Sequence, residues 1–314
     1  MRIAMPLIVL ATAFTCSLAT APANARARVF VASYGNDANP CTFGSPCKTF
    51  QQAVNVVDAG GEVTAIDSAG FGPIIISQSV TITSPPGVEA GIVPTSGGNA
   101  ITINPSSSIT VTLRGLTLEG SGVGLNGIAL TSTAQGTLNV IGCVVKDFTA
   151  TGILIKPSFS GGSEFILNLL IADSFVLDNR TNGIEINPQS LFTAVLYDIQ
   201  RTTVNGNGTS GNDAGLLFDG TAGFFRGNLS SLDVEMNLAG INFMAGSDVA
   251  TAFIRNSTFQ SNHADFLDNN VAATVYLLNF NLIQGAVNNG TVISDGTNNI
   301  IDLTGNSPTL LSRK

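Results

Sequence analysis

Two acids spaced two residues apart in a strand-like run are the clearest chemical signal in this 314-residue chain. In Leu232-Asp233-Val234-Glu235, the alternation that buries Leu232 and Val234 turns Asp233 and Glu235 toward one outward face, roughly 7 Å apart. Glycoside hydrolysis uses two carboxyl groups about 5–9.5 Å apart, one as acid and the other as base or nucleophile. Asp233 and Glu235 are therefore the candidate catalytic residues. Thr203, Asn205, Thr258 and Gln260 occupy the matching positions of neighbouring runs and offer groups suited to sugar hydroxyls, so they are the candidate substrate-binding residues. An outward strand position is equally where solvated charge belongs, and the sequence leaves both readings open.

Other reactive residues are few. The single histidine, His263, lies in Asn262-His263-Ala264-Asp265 at a turn, where it is either a general base or a solvated turn residue. Cys41 and Cys47 enclose Thr42-Phe43-Gly44-Ser45-Pro46, a Gly/Pro turn that can bring two Cβ atoms together. A disulfide is the reading; metal binding is the rival, but no His or second Cys pair stands nearby to complete four ligands. Cys143 lies in the apolar run Val140-Ile141-Gly142-Cys143-Val144-Val145 and reads as a buried, inert thiol. Gly122-Val123-Gly124-Leu125-Asn126-Gly127 matches a dinucleotide fingerprint by letter, but no helical pattern follows it. No metal site and no cofactor are indicated.

Composition limits the partners. The chain is 44% hydrophobic and 11% charged, with 13 basic against 21 acidic residues and a formal net charge of -8. Disorder is excluded by the apolar content, and nucleic-acid binding is disfavoured because phosphates need clustered Lys and Arg. Residues 1–25 read as a signal peptide: Met1-Arg2, an apolar Leu7 to Leu18, and Ala23-Asn24-Ala25 as the cleavage site. No later segment reaches the ~20 apolar residues of a membrane span. A secreted or periplasmic protein is the expectation, and that compartment favours the disulfide.

The elements that must position these residues are repeats. Four segments share one form and end in Asn: Ser174 to Asn179, Thr202 to Asn207, Leu232 to Asn237 and Ser257 to Asn262, with the Asn residues 28, 30 and 25 positions apart. A second run follows most of them, in Gly183-Ile184-Glu185-Ile186, Gly215-Leu216-Leu217-Phe218 and Gly240-Ile241-Asn242-Phe243, and continues upstream at Gly127-Ile128 and Gly152-Ile153. A unit of this size cannot bury its own apolar face, and stacking such units does. Short strands without helix fit an all-β solenoid, a single-stranded parallel β-helix. Val176, Val204, Val234 and Phe259 should form one inward column. The four Asn residues should form another, at a turn that tolerates a left-handed backbone. Leucine-rich repeats lack a match in Leu spacing, and a β-sandwich does not explain the Gly-Ile register.

Ahead of the repeats, Phe50, Ala53, Val54 and Val57 have the i, i+3, i+4, i+7 spacing of an amphipathic helix that could cover the first coil. The stretch Val29-Phe30-Val31-Ala32-Ser33-Tyr34-Gly35-Asn36-Asp37, then Asn39-Pro40-Cys41-Thr42, then Ser45-Pro46-Cys47-Lys48-Thr49-Phe50 resembles the opening of secreted proteins in the pectate-lyase-like right-handed β-helix superfamily. Cys stands here at a glycine and at an aromatic position of that opening, and two departures both to Cys support their pairing. The resemblance implies a right-handed coil with an N-terminal capping helix. It divides the chain into the signal peptide at 1–25, strand, disulfide loop and capping helix at 26–58, and β-helix at 59–314. It says little about reaction, because this fold hosts lyases, hydrolases, esterases, tailspikes and adhesins. The aspartates and Gly-His-Gly of the polygalacturonases are missing, as are the arginine segment and calcium carboxylates of the pectate lyases. Two functions follow as expectations: a protein that binds or remodels a polysaccharide or cell-surface glycan through an outward strand face, or a non-catalytic structural or adhesive surface protein.

Overall fold

The computed structural model describes residues 26–159, 164–244, 250–268, 273–279 and 281–311. The signal-peptide reading of residues 1–25 lies outside them. The described chain is a parallel β-helix. Each central coil lays one strand on each of three faces, and every strand pairs in parallel with its counterpart in the next coil. The first face is a twelve-stranded sheet from Arg28–Val31 to Thr309–Leu310. Its central members are long: Gly136–Ile141, Phe165–Ala172, Thr193–Gln200 and Phe224–Ser230. The second face stacks short strands, among them Val144–Lys146, Phe175–Leu177, Thr203–Asn205, Asp233–Glu235 and Thr258–Gln260. The third runs through Ile128–Leu130, Ile153–Ile155, Ile184–Ile186, Leu216–Asp219 and Ala239–Met244.

The interior follows from the period-two pattern. Val176, Val204, Val234 and Phe259 are direct register partners and fully buried, as their place in the repeat requires. Behind them the Asn residues form a ladder. Asn179 Nδ2 donates to Asn207 Oδ1, Asn207 Nδ2 to Asn237 Oδ1, and Asn237 Nδ2 to Asn262 Oδ1, each at 2.9 Å. Each acceptor also takes the backbone N–H of the preceding Asn. One coil upstream Phe148 fills the position, its N–H donating to Asn179 Oδ1 at 3.2 Å.

The ladder explains the glycine of the Gly-Ile run. A Cβ on Gly183 would sit 3.0 Å from Asn207 Nδ2, and one on Gly215 would sit 2.9 Å from Asn237 Nδ2. The two sequence signals are thus halves of one packing unit. The left-handed residue is not the Asn itself but the one before it: Asp178, Gly206, Met236 and Ser261 have φ of 53°, 70°, 52° and 58°. The reason is direction. The corner residue turns the chain and leaves its side chain outside, so that the next residue can point its amide inward.

At the N-terminal end a helix spans Phe50–Val56, started by Thr49, whose hydroxyl accepts from Gln52 N. It buries Phe50, Ala53 and Val54, while Val57 is the extended residue that ends it and is buried too. Phe50 meets Phe71 with ring centroids 4.9 Å apart. Two glutamines tie the helix to the first coil: the Gln51 side chain accepts from Ile75 N, and Gln78 Nε2 donates to the carbonyls of Val54 and Val57. Cys41 and Cys47 are joined by a disulfide with Cα atoms 4.6 Å apart. Asp37 Oδ1 accepts from the N–H groups of Lys48 and Thr49, which fixes the loop against the start of the helix.

Candidate functional site

Strand length decides where a ligand can lie. The long strands of the first face carry adjacent outward columns: Thr137, Asn168, Leu196, Arg226 and Thr251 in one, and Asn139, Leu170, Asp198, Asn228 and Phe253 in the next. Between these columns runs an open groove of about 600 Å³. It continues into a hollow of about 410 Å³, with which it shares Thr137, Asn168 and Leu196, and that hollow in turn shares Ser108 and Gln135 with one of about 300 Å³. From the strand Ile109–Arg114 to Thr251–Arg255 is five coil steps, about 24 Å at ~4.8 Å each. The lining mixes amides and hydroxyls with apolar surface at Leu170, Leu196 and Phe253.

One end of the groove is aromatic and cationic. Phe253 stacks on Tyr276 with centroids 4.8 Å apart and planes at 15°. The guanidinium carbons of Arg226 and Arg255 lie 5.8 and 5.9 Å from the Phe253 centroid. The floor there is held from inside. Tyr197 points inward, fully buried, and its hydroxyl donates to Thr251 O at 3.4 Å. Its neighbour in register is Gly227, where a Cβ would meet the Tyr197 carbonyl oxygen and come within 2.6 Å of its ring. Burial pushes the Tyr197 phenol far above its ordinary pKa, so it stays neutral.

The residues singled out from sequence lie elsewhere, on the second face. The register sets Thr203 and Thr258 on either side of Asp233, and Asn205 and Gln260 on either side of Glu235. All six are brought together as one outward patch. Gln260 Nε2 donates to Glu235 Oε1. The Asp233 carboxyl is held above its ordinary pKa, first by burial, then by the charge of Glu235 and a hydrogen bond shared with it. Sharing a hydrogen bond puts the two carboxyls closer than the roughly 7 Å that strand geometry alone gives.

The sequence reading missed two sets of residues. Glu119, Lys146 and Asp147 meet on the second face across neighbouring coils, with Lys146 Nζ 2.5 Å from Glu119 and 3.5 Å from Asp147. Burial, followed by a shared hydrogen bond and the charge of Glu119, raises the Asp147 pKa. The groove residues were missed as well, because Asp198, Arg226 and Phe253 come from three coils and no local spacing joins them. Only the alternation within each long run marks them as outward. His263 is exposed, and its backbone N–H donates to Asn237 O; the side chain of Asp265 lies outside the described ones. Cys143 is a buried free thiol with its pKa pushed up by burial to about 11, as an inert core cysteine should be. The Gly122 to Gly127 segment runs into a strand, Ile128–Leu130, with no helix to receive a phosphate.

No known family model matches the sequence, and no curated protein matches it. Among solved structures the chain is similar to the pectate lyase Pel9A, with a TM-score of 0.60 and 12% identity over 90% of this chain and 79% of that one. It also aligns with a rhamnogalacturonan lyase (TM-score 0.44, 14% identity, 85% and 75% of the two chains). A third match is the A-module of the mannuronan C-5 epimerase AlgE4 from Azotobacter vinelandii (TM-score 0.45, 14% identity, 81% and 91%). At these identities the likeness is one of fold: the chain carries a pectate-lyase-like parallel β-helix.

Proposed function

We propose that this chain is an exported protein that binds a polysaccharide along the outward side of its first face. The observation that carries the reading is the continuous groove, about 24 Å long by coil spacing, floored by Asn139, Asn168, Asp198 and Asn228 and closed at one end by Phe253. Amides and hydroxyls bind sugar hydroxyls, and an aromatic face packs against the apolar side of a sugar ring. The fold likeness to a pectate lyase makes polysaccharide the first ligand class to test. Export rests on the leader-like residues 1–25 and on the Cys41–Cys47 disulfide. We take the coil as right-handed, the hand nearly all parallel crossovers adopt, and the Phe50–Val56 helix as its cap, since Gln51 and Gln78 bind it to the first coil.

A second reading places hydrolysis at Asp233 and Glu235, with Thr203, Asn205, Thr258 and Gln260 holding the sugar. The raised pKa of Asp233 favours it, because a general acid must hold its proton near working pH. It requires a bound sugar to part the two carboxyls to about 5 Å or more. A third, the adhesive surface protein, uses the same groove without turnover.

A panel of soluble polysaccharides titrated against the protein, with assays for new reducing ends and unsaturated products, separates them. Phe253→Ala should weaken binding about fivefold to tenfold, on the order of 1 kcal/mol. Asp233→Asn and Glu235→Gln should change affinity less than twofold. Loss of binding in the second-face variants with Phe253→Ala silent would move the site to the second face. Product formation abolished by Asp233→Asn would establish the hydrolase.

A further inference from the structure

The groove is sorted by charge along its length. Its cationic end holds Arg226, exposed, with Arg255 beyond the lining but also beside the Phe253 ring. Neither arginine takes part in an ion pair among the described residues, whereas exposed Arg201 is engaged through two bonds to Asp173 at 2.6 and 2.9 Å. Asp198 stands in the same outward column as Phe253, two coil steps away, about 10 Å. Asp198 makes no direct ion pair among the described residues, although it feels the charge of Arg201, whose guanidinium is bound to Asp173. Beyond it come neutral groups, Asn139, Asn168 and the hydroxyls of Thr110 and Thr137, and the outermost hollow carries a second acid, Glu164.

From this order we infer that the ligand is a heteropolysaccharide whose acidic sugars are spaced by neutral ones, with the acid read at Arg226 and Arg255 and refused at Asp198. The inference rests on the polysaccharide reading above and narrows it. A carboxylate over Arg226 gains a charge-assisted hydrogen bond from a guanidinium held over the Phe253 ring. A polymer acidic at every sugar would set another carboxylate against Asp198, and like charges in contact oppose binding. The net charge of -8 adds a general penalty for such a polymer. A neutral polymer escapes both penalties but leaves the two arginines without a partner.

The test is a titration of the intact protein at low and at 0.5 M salt with three probes of matched length: polygalacturonate, a neutral glucomannan, and gellan, an acidic heteropolymer. Wild type should bind the heteropolymer at least fivefold tighter than either of the others at low salt, and the margin should shrink at high salt. Arg226→Gln should erase its advantage over glucomannan. Asp198→Asn should tighten polygalacturonate several-fold and leave glucomannan unchanged. Both positions are on the outward side of the sheet, and circular dichroism checks that the variants fold. Glucomannan binding that depends on Phe253 while both charge variants are silent would keep the groove and overturn the charge sorting. Polygalacturonate as the tightest ligand, indifferent to Asp198→Asn, would overturn it too. No binding of any probe would overturn the groove reading and this one with it.

Discussion

The first and second faces are built by the same coils and differ in how much backbone each coil gives them. The central coils lend six to eight residues to the first face, as in Gly136–Ile141 and Phe165–Ala172, and three to the second, as in Phe175–Leu177. Alternation turns six to eight residues into three or four outward side chains, wide enough for a floor with sides. Three residues give two outward positions, and on the second face these end abruptly at left-handed corners such as Arg201 and Gly206. The first face therefore carries the groove, and the second carries its acids on a narrow ridge. The paired carboxyls and the concavity have separated, which is why the strongest chemical signal in the sequence and the groove in the fold do not coincide.

The interiors behind the two faces differ as well, and that difference can be broken one face at a time. Behind the first face Gly227 leaves no space for a side chain beside Tyr197. Gly227→Val would drive a branched side chain into the Tyr197 ring and carbonyl, and the packed neighbours Phe218 and Phe225 leave the ring no room to retreat. We expect a loss of about 3 kcal/mol in urea unfolding. Gly227→Ala should lose less. An unchanged midpoint for Gly227→Val would mean that the floor of the groove is not held by this contact.

Behind the second face the corresponding element is polar. Asn237 accepts from both the N–H and the side chain of Asn207, and its own amide donates to Val204 O, Glu235 O and Asn262 Oδ1. Asn237→Ala leaves the buried Asn207 N–H without its acceptor, while the Asn207 side chain keeps the carbonyls of Val176 and Asn205. The cost should be about 2 kcal/mol, below that of Gly227→Val because part of the network is retained. Faster hydrogen exchange at Asn207 and Leu238 N–H would localise the damage to the ladder.

These two residues also mark how far the sequence could be read. The ladder was legible because its Asn recurs every coil beside a fixed apolar position, and a repeated residue at a fixed phase implies a stacked column. The inward column at Val176, Val204, Val234 and Phe259 was legible for the same reason, and so was the second-face patch around Asp233. Tyr197 and Gly227 occur once each, and their fit depends on register between coils separated by 30 residues of chain. The groove was hidden likewise: it is a property of strand length and of side chains from successive coils, and no single coil contains it. The corner residues were displaced by one position because the sequence shows which residue is invariant in type, whereas the backbone sign follows from which way that side chain must point.

The smallest effect tests whether the second-face pair is more than a solvated ridge. Asp233 has its pKa raised by partial desolvation, then by the charge of Glu235 and the hydrogen bond between them. A carboxyl whose pKa is higher in the folded than in the unfolded chain stabilises the fold fully below the unfolded value, about 3.9. That contribution is lost as pH rises through the folded value. Asp233→Asn keeps the shape and removes the titration, so at pH 7 the variant should be slightly more stable than wild type, and the gap should close as the pH falls below about 4. Because Asp233 is exposed, screening limits the gap to a few tenths of a kcal/mol. Glu235→Gln removes the second and third causes and should bring the Asp233 carboxyl back toward its ordinary value, read by its NMR titration. A gap independent of pH would show that ionisation is not its source. A wild type more stable than Asp233→Asn at pH 7 would reverse the sign and mean that the fold favours the ionised carboxylate, with no proton held for catalysis.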